Sequence, residues 1–191
     1  MIIAMKVDVA TGLLTGVRQV FSPHFDARPG GVVPELIVVH GISLPPGEFG
    51  GPWIDKLFAG DLPADAHPYF RQVTGPGRRV SAHALVRRDG GVVQYVPFGA
   101  RAWHAGVSEY CGRSACNDFS IGIELEGTDD VPYTDAQYGS LARVVDALLL
   151  AYDTLSPTRI AGHSDIASGR KTDPGAVFDW GRFRKSLLKG A

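Results

Sequence analysis

The chain is 191 residues long, with 45% hydrophobic residues, 20% charged residues and a formal net charge of -1. At roughly 100–200 residues per domain this fits one domain spanning 1–191, long enough to bury a core without disulfides. The near-zero charge excludes the basic field of a nucleic-acid binder and the acidic bias of a disordered chain.

The first stretch, "MIIAMKVDVATGLLTGVRQVF", lacks the charged start and continuous apolar run of about 7–15 residues that mark an export signal, so a cytoplasmic protein is expected. No apolar run approaches the ~18 residues that span a bilayer. Neither membrane nor nucleic acid is therefore an expected partner, and the expected state is a monomer. After Pro34, "ELIVVH" is a β-branched run that reads as a buried strand delivering His40 at its carboxyl end. "GISLPPGEFGGPWIDKLFAG" is too rich in Gly and Pro for continuous regular structure, apart from a helical turn or two from Trp53 to Phe58, and reads as one wall of a cleft.

"RVSAHALVRRDGGVVQYVPF" predicts two strands joined at Asp89 and Gly90, because Asp-Gly supplies the backbone angles of a tight turn. An irregular connection, "GARAWHAGVSEYCGRSACND", leads to a further strand in "FSIGIELEG". Its two cysteines, Cys111 and Cys116, read as free thiols in a reducing compartment, with a local bridge as the alternative. Thr134 and Gln137 form a capping-box pattern ahead of an apolar helix face of Tyr138, Leu141, Val145, Leu148, Leu149 and Tyr152. "RIAGHSDIASGRKTDPG" reads as a loop, and a shorter helix is predicted from about Asp179 to Leu188. The sum is a mixed α/β domain whose strand order the pattern leaves open.

Most of the six histidines, at 24, 40, 67, 83, 104 and 163, read singly as surface or hydrogen-bonded residues. His40, leaving a buried strand, and His163 with Asp173, sharing one loop, stand apart. Two imidazoles and a carboxylate are a three-ligand set typical of catalytic zinc, which leaves a fourth position open. His163 and Asp173 lie ten positions apart, which matches no short regular ligand motif, so the pattern alone favours a solvated cluster over a metal site. Glu124 and Glu126 share a face of their strand, so parity cannot choose between them as a base.

The blocks "LIVVHGISLPPGEFGGPWIDKLF", "HPYF", "RVSAHALVRRDGGVVQYVPF", "RAWHAGVS", "CNDFSIGIELEGTD" and "GHSDIASGRKTDPG" together resemble the zinc amidase family, which includes phage amidases and peptidoglycan recognition proteins. The resemblance runs from about Ser22 to Phe183. It implies a central mixed β-sheet flanked by α-helices, one zinc ion, and hydrolysis of the amide between (1,6-anhydro-)N-acetylmuramic acid and L-alanine of a muropeptide, in cell-wall recycling. By the same resemblance His40, His163 and Asp173 match zinc ligands, and Glu124 and Lys171 match the catalytic pair. Arg79 matches an arginine placed for a stem-peptide carboxylate, Trp103 offers an apolar face to the sugar, and His104 is placed to contact substrate or to pack beneath the loop. His83 reads as structural.

Two positions depart from the family pattern. Gly41 stands where asparagine is frequent, and Ala115 stands where a second carboxylate-binding arginine is common, with Arg113 placed to compensate. The rival readings are a muropeptide-binding module of the same fold without turnover, for which the zinc set and Glu124 would be superfluous, and a zinc-independent thiol hydrolase built on Cys116, which needs an activated thiolate.

Overall fold

A computed structural model describes residues 5–75 and 77–187. Among the described residues six strands make the main sheet: β1 (Arg18–Gln19), β2 (Leu36–Ile42), β3 (Ala84–Val86), β4 (Val92–Gln94), β5 (Ser120–Glu126) and β6 (Ile160–Gly162), the longer of them rich in Val, Ile and Leu. They form one sheet in the order β6-β2-β5-β3-β4-β1. All neighbours are parallel except the hairpin pair β3 and β4, so the sheet is mixed, as expected. Asp89 and Gly90 sit at the hairpin turn, with Gly90 at φ 85°, a conformation open to glycine.

Five helices accompany the sheet: α1 (Trp53–Ala59), α2 (Phe70–Val73), α3 (Asp135–Ala151), α4 (His163–Ile166) and α5 (Trp180–Leu187). The α3 helix starts as predicted: the Thr134 hydroxyl accepts from the Gln137 N–H at 3.1 Å, and the Gln137 amide oxygen accepts from the Thr134 N–H at 3.1 Å. Tyr138, Leu141, Val145 and Leu148 are buried on its inner face, while Leu149 and Tyr152 pack only partly, Tyr152 lying just past the last helical residue. The closing helix begins at Trp180, and the predicted end at Leu188 lies outside the described residues. Four short elements, β1, α2, β6 and α4, were not legible; β6 and α4 occupy part of the stretch read as a loop.

The two faces of the sheet differ. Ile37, Val39, Ile121, Ile123 and Leu125 point into the core beneath α3 and α5. On the opposite face, Leu36 and Val38 pack with Cys116, Phe119 and Ile166, and Leu85 and Val93 pack with Ile54 and Phe58 of α1. Between these two apolar patches the sheet presents His40 and Glu124, both buried. Among the described residues no helix is long and apolar enough to cross a membrane.

Candidate metal centre

Parallel pairing brings the site residues together. His40 pairs in register with Glu124, and paired residues of adjacent strands project from the same face. Gly162, the last residue of β6, pairs with Val39, so His163 emerges abreast of His40 as the first residue of α4. The following chain turns back on itself: the Lys171 N–H bonds the Ala167 carbonyl at 3.0 Å, and the Ser164 N–H bonds the Asp173 carbonyl at 2.9 Å. The turn returns Asp173 to the imidazoles.

His40 Nδ1 lies 3.0 Å from His163 Nδ1 and 3.3 Å from Asp173 Oδ2, and His163 Nδ1 lies 3.1 Å from the same carboxylate oxygen. Tetrahedral zinc with donor distances of about 2.0–2.2 Å holds its donor atoms roughly 3.3 Å apart, so this nearly equilateral triangle fits such an ion. The protonation states also fit. Burial lowers the His40 pKa to about 4, against the opposing pull of Asp173, leaving a neutral imidazole at pH near 7. Burial alone would raise the Asp173 carboxyl, but contact with His163 and then His40 outweighs it and holds the group well below the usual carboxylate range. Neutral imidazole and ionised carboxylate are the metal-binding forms. His163 Nε2 faces the Ala105 carbonyl at 3.2 Å; a carbonyl only accepts, so Nε2 bears the proton and Nδ1 offers its lone pair. The three groups could therefore hold a metal ion.

Glu124 and Lys171 line the same cleft, of about 580 Å³, as the triad. Glu124 and Glu126 differ in their partners. Glu126 pairs with Arg87 at 3.2 Å and accepts the Gly50 and Arg88 N–H groups at 2.7 and 3.1 Å. Glu124 Oε2 is buried with no hydrogen-bond partner. Burial, with repulsion from Asp173 second, raises its pKa well above the ordinary carboxyl value, and the Lys171 ammonium opposes that rise. Lys171 itself is exposed on the cleft wall.

The expected substrate contacts are placed differently. Arg79 and Trp103 are not among the residues lining the cleft. Arg79 is exposed and its charge is felt at Asp26, while the Trp103 ring lies under the Arg101 guanidinium, 4.4 Å from its centroid. The cation that lines the cleft from this segment is Arg78. His104 lines the cleft, but both its ring nitrogens are engaged by protein, by His40 Nε2 at 2.9 Å and Ser120 Oγ at 3.2 Å, so its ring edge is committed to His40. Arg113 does not reach the cleft: it pairs with Glu35 at 2.9 Å and covers Phe119. A Cβ at Gly41 would meet Tyr133 Oη at 2.5 Å, so the hydroxyl of Tyr133 occupies the space a larger residue would use. His83, buried and bonded to the Gly122 N–H at 3.0 Å, is structural as expected. Both cysteines are free, Cys111 exposed and Cys116 buried. Burial pushes the Cys116 thiol up, the reverse of what a thiolate nucleophile requires. Arg78 read from the sequence as an exposed arginine beside Arg79, and Ser120 and Tyr133 were not singled out, because what each does here depends on partners distant in the chain.

A family model described as N-acetylmuramoyl-L-alanine amidase matches residues 30–176. The 1,6-anhydro-N-acetylmuramyl-L-alanine amidase AmpD of Escherichia coli (strain K12) is 62% identical over 178 residues, 93% of this chain and 96% of that protein. A crystal structure of a selenomethionine AmpD derivative superposes with a TM-score of 0.89 at 60% identity, covering 93% of this chain and 97% of that one. A complex of the N-acetylmuramyl-L-alanine amidase AmiD from E. coli with the substrate anhydro-N-acetylmuramic acid-L-Ala-D-gamma-Glu-L-Lys has a TM-score of 0.58 at 26% identity, covering 83% and 60%. With its metal-ready triad at the mouth of a mixed sheet, the chain belongs to the N-acetylmuramoyl-L-alanine amidase family.

Proposed function

We propose that the protein hydrolyses the amide between 1,6-anhydro-N-acetylmuramic acid and the L-alanine of a muropeptide stem, in the cytoplasm, as a step in cell-wall recycling. The observation that carries this reading is the convergence of His40, His163 and Asp173 within 3.0–3.3 Å of one another beside an unpartnered buried glutamate. One zinc ion held by these three residues would supply Lewis acidity, polarising the amide carbonyl and acidifying a water molecule. Glu124, with Oε2 unpaired, takes a proton from the attacking water and passes it to the leaving amine. A raised pKa suits this exchange, since the same carboxyl must hold the proton and then release it. The Lys171 ammonium neutralises the carbonyl oxygen as the adduct becomes tetrahedral, a contribution of about 3–4 kcal/mol for one such donor. Arg78 on the cleft wall offers a guanidinium to a stem carboxylate, a pairing favoured by two parallel hydrogen bonds.

Incubating zinc-loaded protein with anhydro-muropeptide and weighing the products by mass spectrometry tests this. Free anhydro-N-acetylmuramic acid and a peptide beginning with L-alanine are expected. Binding without turnover would instead support a sensor of the same fold, and a cut elsewhere in the stem would refute the assigned bond.

A further inference from the structure

The nitrogen of His40 that faces away from Asp173 leads into a chain of buried hydrogen bonds. His40 Nε2 lies 2.9 Å from His104 Nδ1, His104 Nε2 lies 3.2 Å from Ser120 Oγ, and the Ser120 hydroxyl donates to the Cys116 carbonyl at 2.6 Å. The carbonyl has no proton to give, so the direction of each bond is fixed from that end. Ser120 spends its single hydroxyl proton on Cys116, and its oxygen must therefore accept from His104 Nε2–H. A neutral His104 then has a bare lone pair on Nδ1, which accepts from His40 Nε2–H. His40 is left with a bare Nδ1, the atom that faces His163 and Asp173.

The relay has a built seat. Ser120 and His104 are buried, and a Cβ on Gly122 would stand only 2.4 Å from His104 Cγ, so the ring packs flat against bare backbone that only glycine provides. Asn117 Oδ1 accepts the backbone N–H groups of His104 at 3.1 Å and of Ala105 at 2.8 Å. One amide oxygen thus clamps two consecutive residues. The His104 ring orients His40, and the Ala105 carbonyl orients His163.

We infer that Ser120, acting through His104, is a positioning residue that fixes His40 in the tautomer presenting Nδ1 to the metal. This rests on the zinc-site reading above. Both ring nitrogens of His104 are spent on this relay; each residue acts by removing the proton that would otherwise compete for the metal-binding lone pair.

Long-range 1H–15N NMR of histidine-labelled, zinc-free protein reads the His40 tautomer without any metal. The wild type is expected to show Nε2–H at His40. Ser120→Ala, which deletes one oxygen and leaves the packing, is expected to show a mixture of tautomers and about a tenfold weaker zinc affinity by competition with a chelating dye. His104→Leu is expected to lose up to about 100-fold, and His104→Asn, whose amide oxygen replaces Nδ1 as acceptor, to recover part of it. An unchanged tautomer and unchanged zinc affinity in Ser120→Ala would overturn the inference. Asp173→Ala, measured alongside, separates the two readings. If it retains zinc, the metal site is misassigned, while the spectrum of the zinc-free wild type still decides whether the relay sets the tautomer.

Discussion

Changing Glu124 to glutamine should separate stability from chemistry. Glu124 is 7% exposed and its Oε2 has no partner. A buried polar atom left without a hydrogen bond costs about 1–3 kcal/mol, and a charged one costs more. Glutamine keeps the shape of the side chain and discards the charge, so metal-free Glu124→Gln is expected to exceed the wild type by about 1 kcal/mol or more at neutral pH and above. The pH dependence has a definite sign. Burial raises the folded carboxyl above its ordinary value of 4.5, so between the unfolded and folded pKa the native state binds more protons than the unfolded state. Wild-type stability therefore falls as pH rises through that interval, and the variant lacks this loss. Urea denaturation of both metal-free proteins at about pH 5 and about pH 8 should show the gap widening toward alkaline pH. The same substitution removes the base, and turnover of anhydro-muropeptide should fall roughly 10²- to 10⁴-fold with zinc retained. A variant that turned over at the wild-type rate, or that was less stable than wild type at the higher pH, would refute the role given to this carboxyl.

Asp173→Ala removes one corner of the triangle, and zinc affinity measured by equilibrium dialysis should drop more than the ~100-fold typical of outer-shell changes. His83 has its pKa lowered to about 3 by burial, with the Arg28 charge second. Its unfolded form takes up a proton near 6.5 while the native form does not, so this residue should subtract up to ~1.4 kcal/mol of stability per pH unit as pH falls from about 6.5 toward 3. Metal-free denaturation midpoints followed downward in pH should decline less steeply in His83→Asn than in the wild type. Arg78→Ala should raise KM for the muropeptide about tenfold, as loss of one charge-assisted contact implies, whereas Arg113→Ala, already committed to Glu35 and Phe119, should leave KM within about twofold; equal effects in steady-state kinetics would show that the cleft is drawn wrongly.

Four of the six strands and the α3 cap were readable because their signals are local: β-branched runs, an Asp-Gly turn, and a Thr and Gln three apart; β1 and β6, two and three residues long, are too short for a period of 2 to register, and β6 lies in the stretch read as a loop. His40 was legible as the end of such a run. The strand pattern could not separate Glu124 from Glu126, since parity places both on one face; the family blocks pointed to Glu124, and in the structure Arg87 and the loop at Gly50 engage Glu126 alone. The loop reading of His163 also fell short. The residue opens a helix whose first turn is held by the Asp165 carboxylate, which accepts the Gly162 N–H at 2.7 Å, and four residues are too few for a periodic pattern to register. Arg79 and Arg78 are neighbours in an irregular segment, where no period of 2 or 3.6 fixes which of the two turns inward.

The placement of the triad follows from topology more than from loop chemistry. In open sheets with parallel strands, ligands collect beyond the carboxyl ends of the strands. Here β6, β2 and β5 are adjacent and parallel, and each contributes near that end: His163 one residue after β6, His40 two residues before the end of Leu36–Ile42, and Glu124 opposite it in β5. Only Asp173 and Lys171 must be carried in by the connection, and its backbone is tied to α4 through Ser164 and Ala167. A metal gripped by two imidazoles on neighbouring parallel strands therefore links β6 to the centre of the sheet. Zinc should raise the protection of the β6 amides against hydrogen exchange more than those of the β3–β4 hairpin, which holds none of the three donors. Equal protection of both would mean that the ion, if bound, sits elsewhere.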